Sequence, residues 1–265
     1  MLPTAKYYRP AEEVSWLVRQ FEFITYCNGK ALTDKFIPRE DVSIVFHFRD
    51  RPEMVSPVDQ MLPPVFIAPL VPSANSIRIS GHLDCFIATC RPSVLSRILG
   101  ISLAPVSRIC LTLPDNISEP LWKRINQEQT AVGRMAAFTR FMGEIHPGRY
   151  IPDETDLIYE AILQQGINTS LHDIVSRFSV SERTLQRRFR IRLGTTPKML
   201  VRILRINYIW DAINSGRKID YHDLVFLGNY FDQTHLIKDF KSITGETPDV
   251  FFRRNLGITR ILSGK

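Results

Sequence analysis

SVSERTLQRRFRIRLGTTP, from Ser179 to Pro197, and YFDQTHLIKDFKSITGETP, from Tyr230 to Pro248, are two copies of one pattern. Leu185, Phe189, Gly194 and Pro197 in the first copy return as Leu236, Phe240, Gly245 and Pro248, each 51 positions later. Upstream, His172-Asp173-Ile174-Val175 returns as His222-Asp223-Leu224-Val225 at an offset of 50, so the second copy has one extra residue in its turn. Four residue types recurring at one offset mark an internal duplication. Each copy reads as helix, turn, helix. Ser170 suits the cap of a helix over Leu171 to Phe178, and Ser181 the cap of Glu182 to Leu193, which Gly194 closes. In the second copy the helices fall at Tyr221 to Leu227 and Asp232 to Ile243, with Asp232 as the cap.

Between the copies, Pro197 opens a long helix reaching about Asn214. Met199, Leu200, Ile203, Leu204, Ile206, Ile209, Trp210 and Ile213 give it a wide apolar surface. Such a helix spans about 27 Å, and the pitch of B-DNA is roughly 34 Å. A rod of that length suits two reading heads in successive major grooves. Pro248 to Arg254 closes the region.

The second helix of the first copy has two faces. Leu185 and Phe189, four apart, anchor it in a core. Arg183, Gln186, Arg187 and Arg190 share another face, at i, i+3, i+4 and i+7. Arginine bonds guanine bidentately and glutamine bonds adenine, each good contact giving about 1–3 kcal/mol of discrimination. The bland reading of the same face is a solvated basic stripe. In the second copy the exposed candidates are Gln233, Thr234, Ile237 and Lys238, with Ile237 suited to a thymine methyl group. Asp239 beside them would repel phosphate unless it pairs with a cation or faces away. The first head is therefore expected to read sequence harder.

Charge agrees with this. The chain carries +7 overall; from Thr155 onward there are 17 Lys+Arg against 11 Asp+Glu, and before it 17 against 16. A basic excess on the duplicated part points to a polyanion partner. No apolar run reaches 18 residues and the first residues lack a signal pattern, so a cytoplasmic protein without a membrane span is expected. Cys27, Cys85, Cys90 and Cys110 form no C-x-x-C pair and no histidine stands at zinc-ligand spacing, so they read as small buried hydrophobes; no metal, cofactor or catalytic residue is expected.

Residues 1–145 read as a mixed β and α domain. Val14, Leu17, Val18, Phe21 and Ile24 predict a helix for the first half of Ala11 to Tyr26, and the later aromatic and β-branched residues suit a passage into a strand. Val42 to Phe48 and Val65 to Leu70 predict buried strands. Ile77 to Ser80 and Leu83 to Thr89 flank Gly81 and are expected to pair as a hairpin. Pro92 to Leu99, stopped by Gly100, predicts a short helix; two more follow, from Ser118 to about Gln129 and from about Ala131 to Ile145. The last carries Met135, Phe138, Phe141 and Met142 as a stripe that suits core packing or a dimer face. HPGRYIPDETD, residues 146–156, reads as a linker; 157–256 form the duplicated domain and 257–265 a C-terminal tail.

SERTLQRRF, LGTTP, Arg205 in the linking helix and YFDQTHLIKDFKSITGETP together resemble the AraC/XylS family of bacterial transcription regulators. The resemblance implies that both second helices enter major grooves, with the family's base-contacting positions falling on Arg183, Gln186 and Arg187, then Gln233, Thr234 and Lys238. Ser179 and Asn229 stand where that family often has glycine in the turns. More loosely, IPREDVSIVFHF and CRPSVLSRILG resemble an N-terminal sensory or dimerisation domain, a cupin-like β-barrel with helices, whose ligand is unassigned. The expectation is a non-enzymatic, sequence-specific DNA-binding regulator, an activator touching RNA polymerase, with a small-molecule effector and homodimerisation as further partners. A DNA-bound recruiting protein without an effector is the alternative. A repair enzyme with a similar DNA-binding module is a third reading, which would need a reactive cysteine and bound zinc.

Overall fold

Strands in the first half are rich in aromatic and β-branched residues, and the central ones are buried on both faces. The structure is a computed structural model, described over residues 2–27, 30–56, 59–104, 110–168, 170–214, 221–254 and 256–264. β1 (Thr4–Tyr8), β2 (Val18–Cys27), β3 (Leu32–Phe36), β4 (Val42–His47), β5 (Glu53–Ser56), β6 (Gln60–Met61), β7 (Val65–Ala68), β8 (Asn75–Ile79) and β9 (His82–Cys90) form two antiparallel sheets. One runs β1-β2-β9-β4-β7 and the other β3-β8-β5-β6. Alternation assigns each side chain of the first sheet to a layer. Phe21, Phe23, Phe46, Phe86 and Ala88 face the helices, and Ile24, Val45, Phe66 and Cys85 face the second sheet.

Two expectations are corrected here. The first half of Ala11 to Tyr26 is not helical beyond one 3-10 turn at Glu12–Val14, while the later part is the strand expected, β2. The apolar spacing mimics a helix because Val14 and Leu17 are buried just before β2, and burial of both faces of β2 erases the alternation of the residues that follow. The segments flanking Gly81 are strands, yet they do not pair with each other. β8 pairs with β3 and β5, while β9 pairs with β2 and β4. Gly81, at φ 72°, turns the chain from one sheet into the other.

Helices α1 (Pro92–Leu99), α2 (Asp115–Gln127) and α3 (Ala131–Ile145) cover the first sheet. Gly100, at φ 62°, ends α1 as expected. α2 begins before Ser118, with Asp115 in its first turn, where a carboxylate suits the helix dipole. Of the α3 stripe, Phe138, Phe141 and Met142 are buried and Met135 packs against the same core.

The remaining helices are α4 (Glu154–Gln165), α5 (Leu171–Val175), α6 (Glu182–Leu193), α7 (Pro197–Asn214), α8 (Tyr221–Leu227), α9 (Gln233–Thr244), α10 (Pro248–Phe252) and α11 (Gly257–Leu262). α4 starts inside the expected linker, where Asp153 and Asp156 form a capping box. α11 occupies the expected tail and packs against β3.

The sheet part and the helical part share their cores. Leu185, Phe189, Leu193 and Leu200 belong to one apolar cluster with Leu95 of α1 and Phe138 of α3. The stretch from Asp34 to Asp41 reaches the second helical unit. Ile37, 2% exposed, sits in a cluster with Ile206, Trp210, Phe240 and Phe251. Lys35 Nζ donates to the Thr244 carbonyl at 2.9 Å, Arg254 pairs with Asp34 at 3.4 Å, and Asn207 Nδ2 donates to Glu40 at 2.8 Å. Ala74, just before β8, donates its N–H to the Ile243 carbonyl at 2.6 Å.

Candidate nucleic-acid interface

The duplication is structural. α5 and α8 begin 50 positions apart, and α6 and α9 begin 51 apart, as the sequence offsets require. Ser181 caps α6 by accepting from the Thr184 N–H, and Asp232 caps α9 by accepting from the His235 N–H. Gly194 and Gly245 close the two helices at φ 74° and 79°. Among the described residues Asn229 is the one non-glycine at positive φ, 51°, so the second turn uses the left-handed backbone asparagine tolerates. Ser179 does not adopt it, and the first turn has a different shape.

α6 divides its arginines sharply. Leu185, Phe189 and Leu193 are buried. Arg188 pairs with Glu154 at 3.4 Å, while Arg192 pairs with Asp153 and, at 2.7 Å, with Asp156. Arg192 Nη2 also donates to the Ser93 carbonyl at 2.9 Å, tying α6 to α1. Arg183, Arg187 and Arg190 are exposed, and no described anionic group pairs with them. Gln186 is also exposed, its amide held by Glu182 Oε1 at 3.1 Å. Sequence spacing placed Arg183, Gln186, Arg187 and Arg190 on one face, and the structure brings all four to one solvent-facing surface. Spacing did not show that Arg192 turns inward or that Arg188 is paired, because their carboxylates lie on α4 and its cap.

α9 presents a weaker face. Gln233, Thr234 and Lys238 are exposed and Ile237 is half-buried. His235 packs its ring edge-on to Tyr230 at 5.2 Å. Asp239 is buried, pairing with Arg202 and accepting from the Tyr230 hydroxyl at 2.8 Å. That hydroxyl is pushed well above its usual pKa by burial and by Asp239, so Tyr230 stays a neutral donor. Asp239 is thereby removed from the exposed face.

Elsewhere, an apolar cavity of about 100 Å³ lies between the sheets, lined by Ile24, Met54, Phe66, Ile77 and Leu83, with His47 at its wall. His47 bonds through Nδ1 to the Pro63 carbonyl at 3.0 Å, and burial lowers its pKa to about 4. The Cys85 and Cys90 thiols are buried and pushed well above the usual thiol range by desolvation. Cys27 is exposed, unlike the buried hydrophobe expected, with Sγ 3.0 Å from His82 Nδ1. Among the described residues no cluster of three or more His, Cys, Asp or Glu side chains could hold a metal ion, and no helix is long and apolar enough to cross a membrane.

Two capped helix-turn-helix units on one rod, one bearing a face of unpaired arginines, define a double helix-turn-helix DNA-binding domain. Residues 174–254 match the family model described as "Helix-turn-helix domain", and the domain is of the AraC type. The chain is a DNA-binding transcription regulator carrying that domain behind a sheet-rich N-terminal region. Similar solved structures include ToxT from Vibrio cholerae with an unsaturated fatty acid bound, at 15% identity, TM-score 0.48, covering 92% of this chain and 96% of that one. Another is ToxT of Vibrio cholerae bound to (E)-4-(8-methylnaphthalen-1-yl)but-3-enoic acid, at 11% identity, TM-score 0.47, covering 99% and 100%. No curated protein sequence matches the chain.

Proposed function

We propose that this regulator reads base sequence chiefly through Arg183, Gln186, Arg187 and Arg190 on α6. Gln233, Thr234, Ile237 and Lys238 on α9 make a second, weaker set of contacts in the next major groove. The observation that carries the reading is the division of α6. Two arginines are consumed by carboxylates of the α4 cap region, and three are left facing solvent without an anion. Unpaired guanidiniums beside an amide form the donor set that major-groove guanine and adenine edges accept. Residues 146–156 divide the sensory part from the DNA-binding part, activation proceeds by contact with RNA polymerase, and the protein acts as a homodimer. The cavity between the sheets is the site for a small apolar effector; its walls offer almost no polar group to a charged one.

The test is selection of bound sites from random DNA by the full-length chain. Two blocks about 10 base pairs apart are expected, one helical turn of B-DNA. Arg187→Ala should relax one position of the stronger block while leaving the weaker block intact. Enrichment of no motif by the wild type, or an unchanged motif for Arg187→Ala, overturns the assignment.

A further inference from the structure

A groove of about 1030 Å³ separates the two reading helices. Its walls are α5, α6 and α9, and α7 forms its floor through Lys198, Arg202 and Arg205. Gln186 and Arg190 line both this groove and the outer face of α6, so the two surfaces are continuous.

Of the groove's two carboxylates only Asp239 is paired with a cation among the described residues; Glu182 keeps its charge beside a neutral amide. Asp239 is taken by Arg202 and Tyr230, and Glu182 accepts from the Gln186 amide. Arg190, Lys198 and Arg205 have no anionic partner among the described residues. Arg205 is the most telling. Its guanidinium lies 5.6 Å from the centre of the Tyr230 ring, and its buried Nε has no hydrogen-bond acceptor. A buried donor without an acceptor is rare, and one lining a cationic groove marks a place for an incoming oxyanion. Helices in two successive major grooves straddle the minor groove between them. The surface joining them therefore faces sugar and phosphate rather than base edges.

We infer that this groove is a phosphate site in which Arg205, with Lys198 at the rim, binds a DNA backbone phosphate between the two heads. The inference rests on the DNA-binding reading above. It gives α7 a second role: the rod that spaces the heads also holds the backbone crossing between them, fixing register without reading sequence.

The experiment measures DNA affinity against salt for the full-length wild type, Arg205→Met, Arg205→Lys and Lys198→Gln, using the best selected site. Arg205→Met keeps the long side chain against Tyr230 but removes the charge. Each lost phosphate contact lowers the log–log salt slope by about 0.9 in magnitude. Arg205→Met and Lys198→Gln should each show that drop with the selected motif unchanged, and Arg205→Lys should keep most of the slope. An unchanged slope for both Arg205→Met and Lys198→Gln overturns the site. An altered motif with an unchanged slope would make Arg205 a positioning residue for α9 and also overturn it. In a parallel arm without DNA, inorganic phosphate is added to the wild type and to Arg205→Met. Stabilisation of the wild type alone, with no slope difference, would assign the groove to a free anion and refute the DNA assignment. Failure of the wild type to select any DNA would be a failure of the underlying reading, separate from these outcomes.

Discussion

Replacing Ile37 with alanine tests whether the second helix-turn-helix unit depends on the sheet for its core. Ile37 leaves the end of β3 and enters the cluster of Ile206, Trp210, Phe240, Ile243 and Phe251 at 2% exposure. Its own N–H is held by Ser263 Oγ at 3.0 Å, so the backbone cannot easily follow the lost side chain. The change deletes three carbons. At about 0.8 kcal/mol for each buried CH₂, transfer alone gives about 2.4 kcal/mol. The unfilled space beside Trp210 and Phe251 raises this toward the middle of the about 2–5 kcal/mol range seen for such truncations. The expected loss is about 3 kcal/mol in urea unfolding. Hydrogen exchange should locate it, with faster exchange in α9, α10 and the second half of α7 and little change in α6, which packs on α1. A loss below about 1 kcal/mol, or faster exchange confined to the sheets, would refute the claim that the second unit borrows its core from the first half.

Arg192→Met should cost about 3 kcal/mol, the low end for breaking a buried pair, because it removes the nearest cation from the Asp156 carboxylate, 3% exposed, and leaves it Arg97 at 3.7 Å with the Tyr150 and Ser93 hydroxyls. Arg188→Met, whose ion pair with Glu154 is about 40% exposed on both sides, should cost less than about 1 kcal/mol; equal losses in urea would show that burial is not what separates them. His47 titrates near 4 when folded, against 6.5 for the free side chain, because burial disfavours its charged form. The unfolded chain therefore takes up this proton first, and stability should fall by up to about 3 kcal/mol as pH drops from 6.5 toward 4. Unfolding midpoints at several pH values should show His47→Gln lacking that component, and identical pH profiles for the two proteins would count against the burial argument.

The two reading helices and the rod between them are legible in the sequence, whereas α4 begins within the expected linker, α5 stops at Val175 short of the expected Phe178, and α11 fills the expected tail. Ser181, Asp232, Gly194 and Gly245 cap or close the two reading helices through bonds made within a few residues, and Pro197 opens the rod through its fixed backbone angle. The strands β4, β7 and β9 also showed in short β-rich runs. What failed is informative. The segment leading into β2 suggests a helix but makes only one 3-10 turn, because burial of both faces of β2 hides the alternation that would mark where the strand begins. β8 and β9 were expected to pair because they adjoin Gly81, yet each pairs with strands far away in sequence. Gln233, Thr234 and Lys238 on α9 are exposed as expected, but the neutralisation of Asp239 depends on Arg202, a residue of another helix.

The sequence by itself determined the duplication, the spacing of the two reading helices and the side chains sharing the outer face of α6. Those properties follow from helical periodicity and from caps that bond locally. Only the tertiary structure decided which cations remain unpaired, that Ile37 completes the second unit, and that a cationic groove opens between the heads. Each of these depends on groups brought together from distant parts of the chain: Arg192 with Asp156, Ile37 with Trp210, Arg202 with Asp239. Local pattern cannot encode such pairings, because packing of the apolar surfaces sets which charges meet and which are left facing solvent.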